Sequence, residues 1–219
     1  MRNHGCKRTD IEAPAGELAA LALAPKAVLI VENLETGLAL PDLPGAIALM
    51  RLGNAVGVVG ALPWLVATET VIYWGDIDTH GFAILDRARR AVPQLRSVLM
   101  TEETLQSHRA LWVQEPAQCS NVPLESLTRE ERSVYDGLRA QTWGQRVRLE
   151  QERLGWSGAL YAVRVALDGW LGSVSAAADL PSGAAGRPEA WLVENMADSE
   201  ASRAVADEHS LHLGSSPKG

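Results

Sequence analysis

Cysteine, phenylalanine and surplus positive charge are all scarce in this sequence of 219 residues. Cys6 and Cys119 are the two cysteines, stand far apart and form no Cys-x-x-Cys pair, so a disulfide framework is excluded and a reducing compartment is expected. Lys and Arg total 20 against 27 acids, for a net charge of −7. That balance excludes a polybasic nucleic-acid binder; contact with DNA would need a local basic surface, a bound cation or a partner. No apolar run approaches the roughly 18 residues of a membrane span. Met1–Asp10 is charged and lacks the apolar centre of a signal peptide, so the expected location is cytoplasmic, with no membrane partner. Phe occurs once and Trp seven times, which makes the large aromatic volume mostly indole.

What is present is a 47% hydrophobic chain, long enough for one domain with appendages. Ala27–Val31 is short and wholly apolar, the pattern of a strand buried on both faces. Ala46–Leu52 reads as a second strand, Val71–Trp74 as a third and Arg96–Met100 as a fourth. Between them the sequence predicts helices over Ala55–Val66 (interrupted by Gly57, Gly60 and Pro63), Gly81–Val92 and Glu102–Trp112. A short helix is expected in Gly16–Ala24, and Thr128-Arg129-Glu130-Glu131 has capping-box spacing. Strands alternating with helices predict an α/β fold with a small parallel sheet flanked by helices. The expected organisation is an N-terminal extension over 1–25, a domain over 26–156, and a poorly ordered tail over 157–219, where Ala, Ser and Gly accumulate.

The chemistry concentrates in Tyr73–Phe82, Tyr-Trp-Gly-Asp-Ile-Asp-Thr-His-Gly-Phe. Asp76 and Asp78 fall where a strand hands over to a helix, and strand carboxyl ends are where α/β sheets bind ligands. An EF-hand loop begun at Asp76 would end on Arg87 instead of Glu, between the wrong flanks. A dehalogenase-type phosphatase would use Asp76 as nucleophile but expects Thr where His80 stands. A metal-dependent nuclease needs a third carboxylate from another strand. Glu32 ends the first strand, and parallel neighbours lie about 5 Å apart. Three such oxygen donors suit Mg²⁺ or Mn²⁺.

Ile30-Val31-Glu32-Asn33, Trp64-Leu65, Tyr73–Phe82, Ser97-Val98-Leu99-Met100 and Arg148-Leu149-Glu150-Gln151-Glu152-Arg153 together resemble the Toprim domain of the Wadjet nuclease subunits of the JetD family. The similarity covers about 27–156, and the Trp-Gly-Asp-Ile-Asp-Thr-His-Gly string is its specific part. The resemblance implies a Toprim fold, like that of the A subunit of type VI topoisomerases. It implies Mg²⁺-dependent cleavage of double-stranded DNA within a condensin-like (SMC) plasmid-defence complex. It also implies that Glu32, Asp76 and Asp78 are the metal-binding acids, with Glu150 and Glu152 matching the closing motif.

His80 joins the catalytic candidates as a phosphate contact, an orienter of an Asp, or a helix cap. Arg87, Arg89, Arg90 and Arg96 are candidates for a phosphate-contacting face, against a solvated helix face as the alternative. Some 25 residues before the first strand are too few for the winged-helix region of full-length members, so a truncated or split copy is expected. Two other readings stay open: a non-catalytic binding or assembly module of the same complex, in which a homodimer is possible, and a phosphatase-type enzyme.

Overall fold

A computed structural model of the chain describes residues 12–119 and 123–168. Four strands, β1 (Ala27–Val31), β2 (Ala46–Met50), β3 (Thr70–Trp74) and β4 (Arg96–Ser97), form a parallel sheet in the order β2-β1-β3-β4. The helices are α1 (Ala15–Ala19), α2 (Leu34–Leu38), α3 (Pro63–Val66), α4 (Thr79–Ala91), α5 (Glu102–Ser107), α6 (Arg129–Arg139) and α7 (Trp156–Asp168). Two further strands, β5 (Val113–Gln114) and β6 (Val147–Arg148), pair antiparallel outside the main sheet.

Every residue of β1 and β3 is buried, as strands covered on both faces require. The chain steps from β1 outward to β2, then returns across β1 to place β3 on its other side. The carboxyl ends of β1 and β3 therefore flank the point where strand order reverses, the usual ligand crevice of such sheets. Val31 pairs with Trp74, so Glu32 and Gly75 leave the sheet side by side. α4 turns Phe82, Leu85 and Ala88 inward and packs on the 3₁₀ segment Gly53–Ala61 and on α6. Phe82 meets Tyr135 of α6 edge to face, centroids 6.3 Å apart.

The α/β architecture is the expected one, with several boundaries corrected. The helix expected over Ala55–Val66 is instead the 3₁₀ run Gly53–Ala61 followed by α3. Gly53, Gly57 and Gly60 raise the entropy cost of a regular helix, and Pro63 at its first turn starts a new one. The strand expected over Arg96–Met100 keeps two residues, and Leu99 adopts φ 60°, outside extended space. The helix expected over Glu102–Trp112 divides at His108, whose φ of −109° and ψ of 29° leave helical geometry. The Thr128–Glu131 capping box forms in full at the start of α6.

The domain does not stop at 156. α7 buries Ala159, Val163 and Leu167, one helical face, and contacts β3. The part of the expected tail over 169–219 lies outside the described residues, as does the segment 1–11. α1 is tied to the domain, since the Trp64 indole N–H donates to the Leu18 carbonyl at 2.8 Å. No helix among the described residues is long and apolar enough to cross a membrane.

Candidate metal centre

Glu32 is placed by the end of β1, and its backbone N–H still donates to Trp74 O at 3.2 Å. Its Oε2 accepts from the Tyr73 hydroxyl at 3.1 Å and lies 3.4 Å from the Asp76 amide nitrogen. The crossing is tight: a Cβ on Gly75 would stand 2.5 Å from the Tyr73 hydroxyl and 2.6 Å from Glu32 Oε2. Gly75 is thus the space in which the Glu32 carboxylate lies over β3.

Asp76 is 6% exposed and fully engaged. Its Oδ2 accepts from Arg148 at 2.6 Å and its Oδ1 from the Gln151 backbone N–H at 2.8 Å. Asp78 is the N-cap of α4, with Oδ1 accepting from Gly81 N–H at 2.7 Å. Its Oδ2 lies 3.2 Å from Arg148 Nε. Gly81 must be glycine because a Cβ there would overlap the Asp76 carbonyl oxygen, backbone against backbone. Gly81→Ala is expected to lower stability by roughly 3 kcal/mol, read as a lower urea midpoint. An unchanged midpoint would contradict this packing.

The electrostatics match the geometry. Burial, then Asp76 and Asp78, push the Glu32 carboxyl up to about 7. Burial, opposed by the Gly81 hydrogen bond and reinforced by Glu115 and Asp76, pushes Asp78 up to about 6. These are acids gathered with too little positive charge. Arg148 supplies part of it: burial disfavours its charge, but Asp76, Asp78 and Glu150 together hold its guanidinium above its ordinary value.

Glu150, 3.5 Å from Arg148, pairs with Arg153 at 2.6 Å. Glu152 is exposed, and partial burial, with Asp76 and Glu150, raises its carboxyl. His80 is half exposed and sets Nδ1 2.8 Å from Glu115 Oε1. The candidate arginines lie on α4 and β4. Arg87 bonds Asn54 from an exposed position. Arg89 is mostly buried and forks onto Glu131 at 2.5 and 2.7 Å, joining α4 to α6. Arg90 pairs with buried Asp86, and Arg96 is exposed.

Glu115 was not among the residues picked from the sequence, and neither were Arg148, Tyr73 or Thr79. Glu115 is 1% exposed, and its Oε1 accepts from the Thr79 N–H at 3.2 Å and the Thr79 hydroxyl at 2.5 Å. Asp78, His80 and Glu115 each offer a ligand atom, and these atoms lie within 4.8 Å of one another. That group is the one among the described residues close enough to hold a metal ion as it stands. The expected trio Glu32, Asp76 and Asp78 is not such a group, because its carboxylate oxygens do not all lie within 4.8 Å of one another. Buried carboxylate oxygens and one imidazole nitrogen suit a divalent cation.

A family model described as Wadjet protein JetD, C-terminal, matches residues 2–162. The chain belongs to that family. No curated protein matches it. The matched JetD span runs through β6 and into α7, and so contains both overlapping groups, Glu32–Asp76–Asp78 and Asp78–His80–Glu115.

Proposed function

We propose that this JetD-family chain is the Toprim-type, metal-dependent DNA endonuclease module of a Wadjet anti-plasmid defence system. Its substrate is double-stranded DNA and its partners are condensin-like SMC subunits. The observation that supports the reading is that Glu32 leaves β1 beside the turn after β3, its Oε2 3.4 Å from the Asp76 amide nitrogen, with Glu32 and Asp78 both raised toward neutrality. Mg²⁺ or Mn²⁺ bound there would polarise a phosphodiester and neutralise charge developing on its oxygens.

The chain's own groups do the rest. Tyr73 and the Asp76 amide orient Glu32 Oε2. Arg148 and the Gln151 amide fix Asp76. Glu115 meets His80 at Nδ1, and Nε2 can donate to a phosphate oxygen when the ring is protonated on both nitrogens. A net charge of −7 works against the approach of DNA, and a cation at these acids would help a phosphate come near them.

Asp76→Ala is expected to reduce cleavage of supercoiled plasmid in Mg²⁺ or Mn²⁺ by at least about 100-fold, because loss of a direct ligand exceeds the effect of losing an outer partner. Cleavage equal to that of the unaltered chain would remove the assignment. A second reading, a non-catalytic assembly module, draws on Asp76 having both oxygens occupied by the protein itself. Its mark is capture of SMC partners with no cleavage by the unaltered chain. The same occupied oxygens weigh against Asp76 as a phosphatase nucleophile.

A further inference from the structure

The best-buried carboxylate of the site is not one of the three acids of the proposed nuclease. Glu115 follows β5, and its backbone N–H donates to Arg146 O at 2.7 Å, which seats it beside the first turn of α4. Three contacts fall on one of its oxygens: Thr79 N–H, Thr79 hydroxyl and His80 Nδ1. The other oxygen, Oε2, is buried and has no hydrogen-bond partner. A buried carboxylate oxygen without a donor costs free energy, and such atoms are rare unless an ion or water satisfies them. Among the described residues, the one ion pair of Glu115 is with His80, itself charged only when protonated.

We propose that Asp78, His80 and Glu115 form a second divalent-cation site, selective for a transition ion of the Mn²⁺ or Zn²⁺ class. The ligand atoms are already within 4.8 Å of one another. Imidazole nitrogen favours transition ions, whereas the all-carboxylate group of Glu32, Asp76 and Asp78 suits Mg²⁺ as well. His80 is 49% exposed, so an ion reaches the site from solvent past its ring. Thr79 orients the ligand carboxylate: it donates twice to Glu115 Oε1, and its oxygen accepts from Cys119 N–H at 2.6 Å. Asp78 is common to both groups, so the two ions would share one carboxylate. The inference rests on the nuclease reading only for that sharing; the Glu115 site stands on its own donors.

The test is a titration of the metal-free full chain with Mn²⁺, following the free-ion resonance, and needs no cleavage. The expected result is two ions per chain. Glu115→Gln keeps an acceptor for Thr79 and is expected to weaken one ion at least about 10-fold, leaving the other unchanged. His80→Ala, at a half-exposed position where folding is not at stake, is expected to weaken that same ion and reduce the preference for Mn²⁺ over Mg²⁺. Glu32→Gln should weaken only the other ion. Wild-type binding in both Glu115→Gln and His80→Ala overturns the second site. One ion lost with Glu32 and Asp76 but kept without Glu115 overturns it and leaves the nuclease reading standing. One ion lost with Glu115 but kept without Glu32 upholds it and removes the three-acid reading. No Mn²⁺ binding at all overturns both.

Discussion

Asp78→Asn is expected to stabilise the metal-free protein at pH 8 by on the order of 2 kcal/mol, while ending metal-dependent cleavage. The substitution is mild locally, because the amide oxygen of D78N can still cap α4 by accepting from Gly81 N–H, and Asn caps about as well as Asp. What changes is charge. In the folded protein Asp78 titrates near 6 against 3.8 for the free group, and Glu32 near 7 against 4.5. Both values are raised, so the folded state binds these protons more tightly than the unfolded one. Their stabilising contribution is complete below about pH 4 and is lost as pH rises through 6 to 7. Thermal unfolding of the metal-free chain should therefore show a midpoint that falls between pH 5 and 8. D78N should flatten that slope and lie about 5 °C above the unaltered chain at pH 8. Added Mn²⁺ should raise the midpoint of the unaltered chain more at pH 8 than at pH 5.5, since the ligands must lose protons to bind. A D78N midpoint at or below that of the unaltered chain at pH 8 would mean that the acid cluster is not strained by its own charge.

The readable part of this protein is the part written in contiguous apolar runs. β1 is wholly apolar over five residues and Val71–Trp74 of β3 is β-branched and aromatic, and those runs are enough to mark buried parallel strands and to bring the end of β1 beside the start of the Asp76–Asp78 turn. Gly75 and Gly81 stand in the Tyr73–Phe82 string, but the reasons for them, room for a carboxylate and contact with a carbonyl, are tertiary. Glu115 was not readable, and Arg148 stood in the closing motif without a role of its own. They reach the site through β5 and β6, two residues each, and through the single Ile77–Leu149 bridge, with no periodicity to announce any of them. Arg89 shows the converse: on a sequence helix it looks like a solvated cation, but Glu131 comes from 42 residues away to pair with it. α7 was missed because its buried face, Ala159, Val163 and Leu167, is small and adjoins the Ala- and Ser-rich stretch that follows.

Arg148→Ala is expected to act in the opposite sense to D78N, and the contrast isolates what the guanidinium does. Arg148 reaches Asp76 at 2.6 Å, Asp78 at 3.2 Å and Glu150 at 3.5 Å, so one protein cation serves three acids. Its removal leaves buried Asp76 and Asp78 facing each other with no counter-charge. Breaking a buried pair costs about 3–5 kcal/mol, and partial exposure of Arg148 reduces this to roughly 2 kcal/mol in the metal-free state. The pairing also bears on metal binding. Asp76 Oδ2 and Asp78 Oδ2 are the oxygens that Arg148 holds, and they belong to the acids proposed to bind a cation. An ion entering there competes with the guanidinium for the same oxygens. Without Arg148 the ion meets unneutralised acids, and Mn²⁺ affinity at the Glu32–Asp76–Asp78 group should rise about tenfold, or 1.4 kcal/mol. The expected pattern is a lower metal-free midpoint, recovered in full by Mn²⁺, together with tighter binding. Weaker Mn²⁺ binding on removal of Arg148 would assign it the other role, holding Asp76 and Asp78 in ligating orientation instead of standing in for the ion.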